Sequence, residues 1–120
     1  MLTEIELHQL AMEVVGKQLE EDGFEFMTVN SELKKDPQFV CLRDKKLHFI
    51  IVRAIAYPND PMVYDTLLME KVRAHAEKFE AKAYFAGVGL AHGENYEWPI
   101  TKNSPYAINF QGIQEITTYG

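Results

Sequence analysis

The stretch from Leu47 to Pro58, LHFIIVRAIAYP, decides the fold, because both faces of the strand that it predicts are mostly apolar. Successive side chains of a β-strand point to opposite faces. One face would carry Leu47, Phe49, Ile51, Arg53, Ile55 and Tyr57, and the other His48, Ile50, Val52, Ala54 and Ala56. The stretch therefore predicts a central strand that is covered on each face by another layer of structure or by a partner chain.

The segments before this strand predict one helix and two further strands. Thr3 and Glu6 have the spacing of a capping box, and Gly23 suits the left-handed position at which helices end. Two segments rich in aromatic and β-branched residues follow, and the short polar turn after the second predicts an antiparallel hairpin with the central strand. The predicted strands are 24–29 and 38–42, and the predicted turn is 43–46.

The segments after the central strand predict a second helix, a fourth strand and a short tail. Asp60 and Pro61 suit the N-cap and the first helical position, and Leu68, Val72, Ala76 and Phe79 form the predicted buried stripe. A strand is predicted over 82–91, where Gly87-Val88-Gly89 indicates close approach by a neighbouring backbone. Short extended pieces are predicted at 96–100 and 106–110. The order αβββαβ with a short C-terminal β tail predicts one α/β (α+β) domain, residues 1–120, with a mixed central sheet.

The charge balance limits the classes of partner. The chain has 18 acidic residues against 12 Lys and Arg, a net charge of -6. Nucleic acid is an unlikely partner on this balance, because phosphate is attracted by a cationic surface. The basic residues around the hairpin are interpreted as a solvated loop with edge-protecting lysines: Lys34, Lys35, Arg43, Lys45 and Lys46. No signal peptide and no membrane span are recognised, so we expect a soluble cytoplasmic protein.

The element order and the run L-H-F-I-I-V-R resemble the PD-(D/E)XK, or restriction-endonuclease-like, nucleases over about residues 3 to 91. That family carries an acidic residue on the second strand and Glu-x-Lys on the third, which hold Mg²⁺ and position water. Ile51 takes the position of the Glu and Arg53 that of the Lys. The second-strand position falls on Gln38, Phe39 or Val40, none of which is acidic. The resemblance implies a nuclease-like core with a degenerate active site, no catalytic residue and no metal site.

The whole chain also resembles short proteins of Bacteroides-type bacteria that carry the label of the F subunit of a sodium-translocating NADH–quinone reductase. The segments VRAIAYPNDP and YFAGVGLA carry this resemblance. The true F subunit is a membrane-anchored flavoprotein with a cysteine-ligated [2Fe–2S] cluster. Cys41 is the single cysteine here, which is too few for a cluster, and no Gly-rich dinucleotide loop is present. We therefore predict no cofactor.

Arg53 is the first candidate site residue, because a charge within an apolar strand needs a partner or a wet cleft. In one interpretation it forms an ion pair with a core-side carboxylate, such as Glu13 of the first helix. In the other it lines an anion-binding pocket with Tyr57, which lies on the same face of the strand.

Cys41 and His48 form a second candidate pair, because they oppose each other if the hairpin turn has an even number of residues. A thiol beside an imidazole is the start of a nucleophilic site, but no third group is in view to orient it, so buried packing is favoured. His8, His75 and His92 do not have the spacing of a metal site.

These observations favour a domain of unknown function that is non-catalytic and acts through protein–protein contacts. The aromatic tail suits a protein partner or a homodimer: Trp98, Tyr106 and Phe110. One alternative is a small binding module that holds an anionic ligand with Arg53 and Tyr57. Another is an enzyme, either a divergent metal-dependent nuclease with migrated acids such as Asp36 or a Cys41–His48 hydrolase.

Overall fold

A computed structural model describes residues 1–117 and confirms an α+β fold with the predicted order of elements around a mixed sheet. The elements are α1 (Glu4–Glu21), β1 (Glu25–Val29), β2 (Phe39–Arg43), β3 (Lys46–Ala56), α2 (Thr66–Glu77), β4 (Lys82–His92), β5 (Tyr106–Phe110) and β6 (Gln114–Glu115). The strand order is β1-β2-β3-β4-β5, and β6 pairs with β4 beside β5. Only β3 and β4 pair in parallel among these strands, and α2 connects them.

The central strand β3 is covered on both faces, as its two apolar faces predict. Ile50 and Val52 pack on the side of α1, whereas Phe49 and Ile51 pack on the side of α2. The helices contribute Ala11, Val15 and Leu19 from α1 and Met69 and Ala76 from α2. Full burial of one large aliphatic side chain contributes about 1.5–3 kcal/mol, so these two clusters supply the main force that holds both helices on the sheet.

The β2–β3 hairpin has a two-residue turn, which settles its register. Asp44 and Lys45 both have positive φ, 53° and 65°, as a type I′ turn requires. Arg43 pairs with Lys46 next to the turn. The turn is therefore even, and Cys41 lies directly opposite His48.

The predicted start of the second helix at Asp60 and Pro61 is wrong. The helix begins at Thr66, and the side chain of Asp65 caps it by accepting a hydrogen bond from the Leu68 backbone N–H at 3.1 Å. Asp60 instead accepts a bond from the backbone N–H two residues on, which stabilises a local turn. Both aspartates suit a cap, and only the packing of the segment between them decides which one starts the helix.

Pro61 packs on β4 rather than opening a helix. A Cβ at Gly87 would overlap the carbonyl oxygen of Pro61, so this position accepts only glycine without a shift of the backbone. The close approach that was predicted from Gly87-Val88-Gly89 is thereby confirmed.

The predicted buried stripe of the second helix is only partly right. Met69 and Ala76 are buried against the sheet, whereas Leu68 is 37% exposed and Phe79, beyond the end of the helix, is 54% exposed. The helix starts later than predicted, and its inner face consists of Met69, Val72 and Ala76, with Met69 in place of Leu68. Residues 96–100 form turns and not the extended piece that was predicted. Among residues 1–117, no helix combines the length and apolar character that crossing a membrane requires.

Candidate functional site

Ile51, at the position that carries a metal-binding Glu in the nuclease pattern, is a fully buried core residue. Its exposed fraction is 0%, and it packs in the α2-side cluster with Phe49, Met69 and Phe85. An alkyl side chain offers no oxygen to a hard cation. Ile51 therefore contributes to the packing of the core and offers no ligand to a metal ion.

Arg53 forms a bidentate ion pair with a carboxylate, as one of the two interpretations expects, but the partner is Asp36 and not Glu13. Nη1 and Nη2 of Arg53 donate to Oδ1 and Oδ2 of Asp36 at 2.8 and 2.7 Å. The two side chains are only 14% and 12% exposed. Nη1 also donates to the backbone carbonyl of Val52 at 3.0 Å. Glu13 is exposed on α1.

The β1–β2 loop, residues 30–38, brings Asp36 to Arg53 because β2 begins only at Phe39. The last pair between β2 and β3 is Phe39 with Ile50, and beyond it the loop continues beside β3. The buried Gln38 holds the loop beside β3. Its backbone N–H donates to the carbonyl of Ile50, and its side-chain oxygen accepts from the Val52 N–H at 2.7 Å. The pairing of Arg53 therefore depends on a loop whose path the sequence pattern does not reveal.

His8 of α1 lies close to this ion pair, although sequence reasoning gave it no role. It is 1% exposed, and neither ring nitrogen makes a well-formed hydrogen bond to another described residue. Burial lowers the pKa of His8, and the charge of Arg53 lowers it further; the Ser31 backbone and Asp36 act in the opposite direction. We name Arg53, Asp36, Gln38 and His8 the Arg53 cluster.

Cys41 and His48 are neighbours, and their surroundings favour packing over catalysis. Burial raises the pKa of the Cys41 thiol to about 11, so the thiol stays protonated at neutral pH. The ring nitrogens of His48 face Tyr84 Oη at 3.2 Å and the Arg43 carbonyl at 3.3 Å. Burial is the main cause that lowers the pKa of His48. Both hydrogen-bonding positions of the imidazole are thus taken by groups other than the thiol.

Tyr57 follows the carboxyl end of β3 and lines two neighbouring hollows. Its ring meets that of Tyr96 at a centroid distance of 5.3 Å and an angle of 64°. The first hollow, of about 280 Å³, is also lined by Trp98, and the second, of about 350 Å³, is also lined by Asn59 and Asn109. Arg53 lines neither hollow, so the structure does not bring Arg53 and Tyr57 together in one of them.

Three half-exposed aromatic side chains line these hollows, and a fourth, Tyr106, lines a separate hollow beside α1. Tyr57, Tyr96, Trp98 and Tyr106 are 44%, 53%, 52% and 43% exposed. Trp98 packs edge-on against His92, and His92 pairs across the sheet with Tyr106. We name these four residues the aromatic surface. The sequence pointed to Trp98 and Tyr106, whereas Tyr96 was missed because residues 96–100 were taken for an extended piece that covers the tail.

Two of the basic residues around the hairpin, Arg43 and Lys34, have local partners. The Arg43 guanidinium lies 4.0 Å from the ring centre of Phe24 and donates to the carbonyl of Asp22. Lys34 lies 3.8 Å from a carboxylate oxygen of Glu4. Within residues 1–117, no three His, Cys, Asp or Glu side chains are grouped so that they would hold a metal ion.

Comparison with known proteins gives one match. The family model described as "Domain of unknown function (DUF8840)" matches residues 5–116. Neither a curated protein nor a solved structure matches the chain. The matched residues run from α1 to the end of β6. The chain therefore belongs to the family described as Domain of unknown function (DUF8840).

Proposed function

We propose that this chain is a non-catalytic binding domain with a nuclease-like core, and that it acts through protein–protein contacts at the aromatic surface. The observation that carries the proposal is that three half-exposed aromatic side chains, Tyr57, Tyr96 and Trp98, line two open hollows at the carboxyl ends of β3 and β4. Tyrosine and tryptophan supply much of the binding energy in protein interfaces, because they combine large apolar area with a polar group.

The positions that would carry nuclease chemistry support this proposal, because their side chains are used inside the fold. Ile51 is packed in the core. Both carboxylate oxygens of Asp36 accept hydrogen bonds from Arg53, so this acid would have to leave its partner before it could ligate a metal. A divergent nuclease with migrated acids would therefore need the Arg53 cluster to open.

The second candidate function, binding of an anionic ligand by Arg53 and Tyr57, meets the same difficulty. The guanidinium already faces an internal anion, the carboxylate of Asp36, at 2.7 Å. An external anion would compete with a carboxylate that is held in place by the β1–β2 loop. Protein contact at the aromatic surface requires no such rearrangement, so the geometry favours it.

The test is photo-crosslinking in the cells that make the chain. A photo-reactive phenylalanine analogue replaces Trp98, and in a control protein it replaces Phe79, which is equally exposed at the opposite end of the sheet. We expect a discrete crosslinked protein from the Trp98 position only, and we expect Tyr57→Ala to abolish it. A crosslink between two copies of the chain would identify the homodimer as the contact.

The proposal fails if both positions give the same crosslinks, or if Tyr57→Ala leaves the Trp98 crosslink unchanged. Thermal stabilisation by phosphate that is lost in Arg53→Met would favour the anion-binding candidate instead.

A further inference from the structure

The Tyr57–Tyr96 pair is a wall shared by the two hollows. Both hollows are lined by Tyr57 and Tyr96, and both have Leu90 and Ala91 of β4 at their base. The arrangement is therefore two shallow apolar sites on either side of an aromatic ridge, and not one deep cavity. A ligand that fills both sites has to cross the ridge as an extended segment.

The polar side chains of the second hollow are uncharged, and each of them can donate a hydrogen bond. The side-chain amide of Asn59 is one of them. The side-chain oxygen of Asn109 accepts from Gln111, which leaves its N–H₂ group free to donate. The hydroxyl groups of Tyr57 and Tyr96 add two further donors at the rim. Such a site can donate hydrogen bonds to the exposed carbonyl oxygens of an uncharged ligand.

We propose that the two hollows bind an extended, proline-rich segment of a partner protein that carries a basic residue beside its prolines. This inference rests on the proposed function and names the chemistry of the partner. A polyproline II segment has no internal hydrogen bonds, so its carbonyl groups point outward. Proline has no N–H and therefore needs no acceptor from the site. Aromatic-lined grooves are a recurrent receptor for such segments, because the extended conformation is already formed before binding.

The negative charge beside the first hollow favours a basic residue in the partner segment. Glu97 is the charged side chain that lines this hollow. The chain as a whole has a net charge of -6. An arginine or lysine of the partner is therefore attracted to this end of the ridge, which fixes the direction in which the segment lies.

Gly89 shapes the second hollow. A Cβ at this position would lie 3.2 Å from the Cβ of Asn109 and 3.2 Å from Cγ of Pro61. A methyl group would therefore narrow the hollow and push on its walls. We expect Gly89→Ala to weaken binding of a proline ring here more than it affects the first hollow.

The test is a titration of the whole chain, labelled with nitrogen-15, with a capped peptide of prolines and a single arginine. Two matched peptides replace all prolines by alanine, or the arginine by glutamate. We expect saturable shifts at the backbone signals of Tyr57 and Tyr96 with the first peptide only. Tyr57→Ala should weaken binding by about tenfold or more. Glu97→Gln should remove the preference for arginine over glutamate, and Phe79→Ala, outside the site, should leave binding unchanged.

Equal shifts with the alanine peptide, or unchanged binding by Tyr57→Ala, would overturn the inference. The proposed function can survive that result. If no proline peptide binds but the Trp98 position still crosslinks a protein in a manner that depends on Tyr57, only the chemistry of the partner is wrong. If that crosslink is absent as well, both proposals fail.

Discussion

Arg53 and Tyr57 lie four residues apart in the sequence, yet their surroundings are opposite. The Arg53 side chain is 14% exposed and donates three hydrogen bonds inside the chain. Tyr57 is 44% exposed and touches another half-exposed tyrosine beside two hollows. A buried charge is tolerated only when its partner stays in place. The Arg53 cluster therefore serves the fold, whereas the aromatic surface has contact area left for another molecule.

The largest expected effect is a loss of stability when the ion pair between Arg53 and Asp36 is broken. Arg53→Met leaves the Asp36 carboxylate buried without its partner, and loss of one member of a buried pair costs about 3 kcal/mol or more. We expect the free energy of unfolding, measured by urea denaturation, to fall by about this amount. The double variant with Asp36→Leu should be less destabilised than Arg53→Met alone, because it removes the unpaired charge.

Arg73→Met is the matched control for this prediction. Arg73 contacts Glu70 and Glu77 on the exposed side of α2, where water can replace it. We expect a smaller loss of stability than at Arg53. Equal losses at both arginines would show that the Arg53 pair behaves as a surface ion pair, and an open anion site at Arg53 would then become the better interpretation.

The second expected effect is at Gly87, which pairs with Arg53 in the parallel register of β3 and β4. Gly87→Ala would push on the Pro61 carbonyl and so on the segment that leads into the second hollow. We expect a loss of about 2–3 kcal/mol, as for an overpacked core. Gly16→Ala in α1 is the control with the opposite sign. Its Cβ would make only an ordinary contact with Phe39, and alanine stabilises a helix by roughly 0.5–1 kcal/mol.

The sequence predicted the part of the fold that follows from local periodicity, and the β3 pattern shows why. Alternation alone assigned Ile50 and Ile51 correctly to opposite covered faces. The same pattern did not reveal Asp36 as the partner of Arg53, because that contact depends on where β2 starts. Asp60 and Asp65 are both good caps, and only tertiary packing on β4 distinguishes them. His8 lies at helical spacing from the buried Ala11 and Val15, but it was missed because the apolar stripe was drawn from apolar residues alone.

The third expected effect concerns pH. Burial lowers the pKa values of His8 and His48 in the folded chain. The unfolded chain therefore binds more protons than the folded chain below the ordinary histidine pKa of about 6.5. Stability should be full above this pH and should fall as the pH drops toward the folded pKa values. Urea denaturation at about pH 7.5 and about pH 5.5 would measure the loss.

His8→Leu should reduce this pH dependence, because it removes one of the two histidines whose pKa is lowered by burial. Its stability at neutral pH should be equal to or greater than that of the parent chain, since two buried nitrogens without hydrogen bonds are removed. A pH dependence that is unchanged by His8→Leu would show that this histidine is hydrated or paired in solution.

The smallest expected effect on stability is at the aromatic surface, and it separates a binding site from a structural lid. Trp98 is 52% exposed, and Tyr57 is 44% exposed. Truncation of a buried aromatic residue costs about 3–5 kcal/mol, whereas most surface substitutions stay within about 0.5 kcal/mol. Because both side chains keep some contacts with the fold, we expect Trp98→Ala and Tyr57→Ala to lower the free energy of unfolding by less than about 1 kcal/mol. A loss as large as that of a core aromatic would mean that these rings mainly cover Leu90 and Ile100, and the aromatic surface would then be a lid of the core with little area to offer a partner.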